Sequence, residues 1–305
     1  MDYPGAMKAP SLPLLGFVSC GMIWGSTFLV IRVGNDSLPA VWACALRLIL
    51  ACVVLHSILL LTRTPWPKGA ALKAAAHFGL WEFGISLPLL YWGERVVTSG
   101  LAAVIYALCP VAAMFAGAAL GLDRITFRRL GAALLALAGV AVIFWRELTQ
   151  GGSTLGLASV LVAAIAAPMA GLMLQRAPAQ NPFAANAVGS LVGIPFCLAA
   201  SFVLRERQVW PTTGREAFPV IYLALAGSVV AFVIFAWLLT RWKTSTVAFL
   251  GVIVPVIAVI LGTLDRHEAF STGNLAGAVI VVVGVTIALS SEGEAKLENA
   301  AQSQT

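Results

Sequence analysis

The sequence predicts an all-α polytopic membrane protein with ten transmembrane helices, arranged as two inverted five-helix repeats. Three observations lead to this fold class: an apolar composition, ten apolar runs of spanning length, and a match between the two halves of the chain. Of 305 residues, 60% are hydrophobic and 10% are charged, whereas a soluble chain carries about 25% charged residues. So few polar residues cannot cover a soluble protein, which excludes soluble enzymes and nucleic-acid-binding modules.

The apolar runs are separated by short polar breaks rich in turn-forming residues, and a run of about 20 residues crosses a bilayer as a helix. The predicted spans are residues 12–33, 40–61, 71–92, 97–120, 127–145, 154–175, 183–204, 217–239, 244–264 and 272–290. The first run is longer than the apolar core of a cleavable signal, so we interpret it as a retained helix. The polar residues 291–305 are expected to form a disordered tail.

Basic residues predict the orientation of the chain. With the N-terminus in the cytoplasm, eleven of the nineteen Lys and Arg residues fall in inside segments, seven fall in outside loops, and Arg47 lies within a span. Because cytoplasmic loops carry the excess of positive charge, we expect both termini in the cytoplasm and the protein in the cell inner (plasma) membrane. The same rule accounts for the net charge of +6, which therefore gives no reason to expect a nucleic-acid partner.

The two halves of the chain match when the sequence is shifted by 145 residues. The matched residues are Trp92 with Trp237, Pro110-Val111 with Pro255-Val256, Asp123 with Glu268, Leu130 with Leu275, and Gly139-Val140 with Gly284-Val285. Because each half holds five spans, an odd number, the second copy must be inverted. We therefore expect repeats at residues 12–145 and 154–290. Inverted repeats are typical of secondary transporters, although duplication alone could also supply a stable bundle.

Several short motifs resemble a known family. They are Gly21-Met22-Ile23-Trp24-Gly25-Ser26-Thr27-Phe28, Arg47, the run from Ser99 to Ala103, Cys109-Pro110-Val111, and the second-half matches from Val247 to Glu268. Together they resemble the EamA family of the drug/metabolite transporter superfamily. The resemblance implies ten helices in two inverted five-helix repeats. It also implies proton- or exchange-driven movement of small metabolites, most often export of amino acids or related compounds. The sequence has Leu122-Asp123 and His267-Glu268 where the family commonly has Gly-Glu, and its sixth span lacks a Trp-Gly pair.

One acid and one cation lie deep in the predicted spans, namely Glu82 in the third and Arg47 in the second. Counted along each helix from the external end, Arg47 lies about 12 Å and Glu82 about 15 Å deep, so their depths match. Two interpretations stay open. They form a buried ion pair that holds two helices together, or Arg47 binds a substrate carboxylate while Glu82 takes up a proton.

The candidate substrate-binding residues are Trp24, Thr27, Arg47, Trp81, Glu82, Tyr106, Asn186 and Ser190, with Glu82 as the proton-coupling residue. The aromatic members lie midspan, where a cavity wall or packing against neighbours is expected. Tyr91, at a span end, is typical of an interfacial belt. Asn186 and Ser190 are four residues apart on one helix face, so they serve either the substrate or hydrogen bonding between helices.

The matched pair Pro110 and Pro255 predicts hinges, because prolines at corresponding positions of two repeats are suited to alternating access. Static bends are the alternative. No metalloprotease, hydrolase, nucleotide-binding or cofactor motif is present in the sequence. We therefore expect neither an enzyme nor a bound cofactor or metal.

The predicted function is a secondary transporter that exports a small metabolite, such as an amino acid or a related amphipathic compound, by alternating access. The alternative is an intramembrane lipid-processing or transferase protein in which Arg47 grips a head group. The expected partners are a small-molecule substrate and the lipid bilayer. The sequence does not decide between a monomer and a homodimer.

Overall fold

The computed structural model describes residues 12–257 and 272–302, and the regular structure in these ranges is helical. The helices are α1 (Leu12–Asn35), α2 (Ala40–Leu61), α3 (residues 69–93), α4 (Ser99–Tyr106 and Cys109–Ala119), α5 (Phe127–Ile143), α6 (Trp145–Gln150), α7 (Thr154–Gln175), α8 (Pro182–Val203), α9 (Gly214–Leu238), α10 (Thr244–Ile257) and α11 (Thr272–Gln302). The last helix continues through the segment that was expected to be disordered, where Ala, Glu, Lys and Leu favour helix.

Seven of these helices are long and apolar enough to cross a membrane: α1, α2, residues 100–119 of α4, α7, α8, α9 and residues 273–290 of α11. This result confirms an all-α protein with several membrane-spanning helices. The total of ten spans stays a prediction, because α3, α5 and α10 are not among the seven over the described residues. The end of the predicted ninth span and Glu268 lie outside the described residues.

The packing of α5 against α11 follows the internal repeat. A Cβ added to Gly139 would lie 2.8 Å from the carbonyl oxygen of Gly277, and one added to Gly284 would lie 2.8 Å from that of Ala132. The shift of 145 residues converts the first contact into the second, because it maps Ala132 onto Gly277 and Gly139 onto Gly284. Such reciprocal contacts are what a two-fold relation between two copies generates. They also explain the small residues, which let the two backbones approach closely.

Both repeats contain a π-helical segment at corresponding positions. The first is Leu80–Ser86 within α3 and the second is Leu223–Val230 within α9. The shift of 145 residues carries the first segment onto residues 225–231, so the two overlap. A π turn alters the register of a helix and is frequent at functional sites. Here the two segments bring Glu82 of α3 and its repeat equivalent, Gly227 of α9, to the centre of the molecule.

The two matched prolines each follow an interruption of their helix. Turn residues 107–108 divide α4 just before Pro110, and turn residues 248–249 divide α10 six residues before Pro255. Backbone groups released at such breaks are tolerated where they face protein or a cavity. The proposed hinge role of the two prolines stays a prediction.

Candidate functional site

A central cavity lies between the two repeats and is lined by residues from α1, α2, α3, α4, α7, α9 and α10. It encloses about 840 Å³ of atom-free space, part of which is open to solvent. Pockets for small molecules are largely apolar with a few placed polar groups. This lining fits that description, since Arg47 and Glu82 are the charged residues in an otherwise largely aliphatic and aromatic wall.

The protein holds Arg47 in a fixed orientation. The side chain is buried, its Nε donates to Ser228 Oγ at 2.7 Å, and its Nη1 donates to Tyr91 Oη at 3.2 Å. Ser228 belongs to the second repeat, so the guanidinium joins the two repeats through a hydrogen bond. A guanidinium has five N–H donors, and these two bonds leave the others available to an anion in the cavity.

Gly227 provides the space for the end of the Arg47 side chain. A Cβ on Gly227 would lie 2.9 Å from Arg47 Nη2 and 3.1 Å from Thr27 Cγ2. The shift of 145 residues maps Glu82 onto Gly227. The first repeat therefore has Glu82 at the position where the second repeat has Gly227. The Arg47 side chain fills the space that the missing side chain of Gly227 leaves. Trp24 closes the same region, since its Nε1 donates to the Gly227 carbonyl oxygen at 3.4 Å.

Glu82 is buried at 8% exposure, lies in the π segment of α3, and lines the cavity. No ion pair with an N···O distance within 4.0 Å joins it to Arg47, both residues being in the part of the chain that the structure describes. Among those residues the Glu82 carboxylate also has no hydrogen-bond donor. The structure therefore does not contain the Arg47–Glu82 contact that an ion pair linking the two helices would require.

Aromatic residues complete the wall. The Trp24 ring lies 4.9 Å from that of Phe232, and the Phe28 and Tyr106 rings pack edge to face at 6.2 Å. Tyr106 Oη lies 3.1 Å from Ser86 Oγ, which itself donates to a carbonyl oxygen of α7. Because the single Ser86 hydrogen is used in that bond, the Tyr106 hydroxyl donates to Ser86. Of the residues predicted from sequence, the cavity brings together Trp24, Thr27, Arg47, Glu82 and Tyr106.

Three predicted site residues do not line this cavity. Trp81 packs against the hydrophobic core next to Glu82. Asn186 of α8 donates to the carbonyl oxygens of Pro182 at 2.8 Å and Phe232 at 3.1 Å, which links α8 to α9. Ser190 donates within its own helix to Ala187. The Asn186 contacts agree with the second interpretation given for this residue, in which it forms hydrogen bonds between helices. Its helix, α8, packs against α3 and α9.

Sequence reasoning missed Tyr91, Ser86 and the Gly227-Ser228 pair. Tyr91 is 1% exposed and contacts the Arg47 guanidinium, so it does not belong to an interfacial belt. A usable signal existed for Gly227 and Ser228, because the repeat shift places them opposite Glu82. No comparable signal existed for Tyr91, whose orientation depends on the register change in α3.

The two halves of the chain match one family model. The EamA-like transporter family model covers residues 11–145 and again residues 150–290. The chain belongs to the EamA-like transporter family. This EamA-like chain is 27% identical over 279 residues to the Uncharacterized inner membrane transporter YedA of Escherichia coli strain K12, with 89% of this chain and 90% of that protein covered.

Other relatives of this EamA-like chain have names that state a cargo. It is 24% identical to the Probable amino-acid metabolite efflux pump of Salmonella typhimurium strain LT2, covering 87% of this chain and 91% of that protein. It is 25% identical to the S-adenosylmethionine/S-adenosylhomocysteine transporter of Chlamydia muridarum, covering 86% of each. Family membership and the seven apolar helices together support a multi-pass membrane transporter.

A solved crystal structure has the same architecture as this EamA-like chain. It superposes with a TM-score of 0.74 and covers 94% of this chain and 99% of that one. The sequence identity is 18%. At that identity the likeness shows the fold alone.

Proposed function

We propose that the chain is a secondary transporter of the inner membrane that exports a small amphipathic metabolite carrying a carboxylate, such as an amino acid or a related compound, by alternating access. The observation that carries this proposal is the central cavity, in which one cation and one acid lie in an apolar wall without pairing with each other. The apolar wall suits the body of such a metabolite, and a guanidinium suits its carboxylate. The family and the relatives named as transporters support transport over lipid processing.

In this proposal, Arg47 binds the carboxylate. Ser228 and Tyr91 hold the guanidinium, so little side-chain freedom is lost when the substrate binds. Trp24, Thr27 and Tyr106 form the rest of the subsite, through ring faces and hydroxyl groups.

Glu82 is the proton-coupling residue in this proposal. A transporter without a nucleotide site must draw on a gradient, and Glu82 is the acid in the cavity wall. Unbalanced charge is costly in a low-dielectric cavity, so a substrate carboxylate at Arg47 favours a proton on Glu82. Substrate and proton then bind interdependently. Rocking of the two repeats about Pro110 and Pro255, with both termini in the cytoplasm, exposes the cavity to each side in turn.

The test is a counterflow assay in proteoliposomes with a panel of labelled amino acids and drugs, followed by pH-gradient-driven flux of each solute that exchanges. Glu82→Gln should abolish gradient-driven flux and leave exchange measurable, because the variant keeps the cavity shape but cannot release a proton. Arg47→Ala should weaken the binding of carboxylate substrates more than the binding of uncharged substrates. Glu216→Gln, which changes an exposed acid at the start of α9, is the matched control.

Two results would overturn the proposal. Full gradient-driven accumulation by Glu82→Gln would remove Glu82 from coupling. A lack of saturable flux for every solute, together with modification of lipid, would favour the lipid-processing alternative. Comparison of metabolites between overexpressing and deleted cells then identifies the exported compound.

A further inference from the structure

We propose that Glu94 is a second proton-binding residue, which passes protons between the water at the 93–98 end of the molecule and Glu82 in the cavity. Glu94 follows the last residue of α3, in the connection to α4. The orientation prediction places this connection outside the cell. The inference rests on the proposed function, because it requires Glu82 to be the coupling residue.

The Glu94 carboxylate is buried, and no hydrogen-bond partner for it is found in the part of the chain that the structure describes. The residue is 8% exposed, and in the described ranges neither of its carboxylate oxygens has a donor. A buried carboxylate in that condition is costly to keep ionised, and a bound proton removes the charge. Glu206, in the connection formed by residues 204–213, differs from Glu94 because its carboxylate accepts hydrogen bonds. Its oxygens accept the backbone N–H groups of Val41 at 3.2 Å and Trp42 at 2.8 Å.

Glu94 follows the end of α3, one helical turn beyond a residue that lines the cavity. Glu82, Leu87 and Leu90 line the cavity, and the N–H of Glu94 donates to the Leu90 carbonyl oxygen at 2.9 Å, one turn further on. At about 1.5 Å per residue, Glu82 and Glu94 are separated by about 18 Å along the helix. That distance is too long for direct transfer, so a proton needs intermediate groups.

Tyr106 is the residue that connects the two acids in this proposal. Both Glu82 and Glu94 interact with it electrostatically, its hydroxyl donates to Ser86, and it lines the cavity. Ser86 is four residues after Glu82 on α3. We infer that the Tyr106 hydroxyl, together with water that enters the cavity, supplies the intermediate groups between Glu94 and Glu82.

Few charged groups oppose proton binding at Glu94. Burial raises the pKa of Glu94 to about 8, while the positive charge of Arg32 on α1 acts in the opposite direction. Among the described residues, Tyr91 of α3 and Tyr106 of α4 are titratable groups that also interact with Glu94. Where α7 packs against residues 93–97 it contributes Gly156 and Val160, which carry no charge. A carboxyl with this pKa gains and loses protons near neutral pH.

The test is a one-sided pH jump followed by infrared spectroscopy, which needs no substrate because it detects the carbonyl stretch of protonated carboxyl groups. Full-length protein in proteoliposomes, oriented by a tag after Thr305, is stepped from about pH 6 to about pH 9 on the side opposite the tag. The unchanged protein should lose one band from Glu94 and then one from Glu82. Glu94→Gln should lack the first band and slow the loss of the second by about tenfold or more.

A pH jump on the tag side should affect the unchanged protein and Glu94→Gln equally. This result would distinguish a relay through Glu94 from a general distortion of the protein by the substitution. Glu216→Gln is the control, because it removes another acid at the same end and its amide still caps α9. Unslowed loss of the Glu82 band in Glu94→Gln would overturn the relay. That outcome leaves the proposed function intact, whereas gradient-driven flux by Glu82→Gln overturns the proposed function itself.

If Glu94→Gln does not fold, the unchanged protein still gives an answer. An apolar carbodiimide adds to protonated carboxyl groups, and peptide mass mapping locates the adduct. Labelling of Glu94 that falls as the pH rises through about 8 supports the inference. An unlabelled Glu94 in protein that is labelled at Glu82 overturns it.

Discussion

Asp123 and Glu82 are both acids with buried carboxylates, yet their surroundings differ completely. The Asp123 side chain, between α4 and α5, is 5% exposed and accepts from Arg129 Nη1 at 3.1 Å and from Lys243 Nζ at 2.8 Å. Its carboxylate also accepts from the Ser245 hydroxyl. Glu82, in the cavity wall, has no comparable partner among the described residues. A carboxylate saturated with donors stabilises structure, whereas one without donors is free to exchange a proton or to attract a ligand.

The Asp123 cluster joins the two repeats. Burial by itself raises the pKa of Asp123, but hydrogen bonds from Lys243 and Ser245 outweigh it, so the pKa lies below its ordinary value and the group stays ionised. Lys243 and Ser245 flank Thr244, whose hydroxyl donates to Gln175 Oε1 of α7 at 2.8 Å. Thr244 lines the cavity. The cluster therefore fixes the start of α10, which forms one end of the cavity.

The largest expected effect is on folding, and it separates the two acids. Asp123→Ala removes the buried acceptor shared by Arg129 and Lys243 and should lower the free energy of unfolding by about 3 kcal/mol, because a buried charge-assisted network loses its central carboxylate. Glu82→Gln should change the free energy of unfolding by less than about 1 kcal/mol, since Glu82 makes no hydrogen bond or ion pair with the residues that the structure describes. Denaturant unfolding of the purified protein in detergent measures both. Equal destabilisation by the two variants would mean that Glu82 has a structural role.

Composition and repeats made the general architecture predictable. Apolar runs predicted the helices because a bilayer demands internally satisfied backbones. The repeat shift paired Gly139 with Gly284, and these two glycines make matching contacts in the structure. Arg47 and Glu82 were identifiable because buried charge within a span is rare. Each of these inferences needs only residue type and spacing.

The direction in which individual side chains point was not predictable from the sequence. The π segment in α3 alters the 3.6-residue periodicity, so it decides that Glu82 faces the cavity while the adjacent Trp81 packs into the core. Asn186 lies within a predicted span, as a binding residue would, but its side-chain amide donates a hydrogen bond to a carbonyl oxygen of α9. Such outcomes depend on tertiary packing, which single-sequence patterns do not contain.

The next effect concerns the space that Gly227 leaves for Arg47. Gly227→Ala introduces a methyl group 2.9 Å from the guanidinium and should displace it from the cavity wall. We expect the half-saturation concentration of carboxylate substrates in counterflow to rise about tenfold, which corresponds to about 1.4 kcal/mol of binding. Gly131→Ala is the control, because a Cβ at that helical glycine meets nothing within 4 Å. If Gly227→Ala leaves carboxylate affinity unchanged, Arg47 does not bind the substrate in this orientation.

The smallest effect is expected from the hydroxyl groups that orient Arg47. Ser228→Ala removes the 2.7 Å bond to Nε, and Tyr91→Phe removes the 3.2 Å bond to Nη1. A hydrogen bond to a charged group contributes about 1.5–3 kcal/mol, but a loosened guanidinium recovers part of it by pairing with the substrate carboxylate. We therefore expect each variant to weaken carboxylate binding about threefold to fivefold and to leave uncharged substrates unaffected. The shorter bond should matter more, so Ser228→Ala should exceed Tyr91→Phe. Equal loss for charged and uncharged substrates would show that these hydroxyls stabilise the cavity as a whole instead of orienting Arg47.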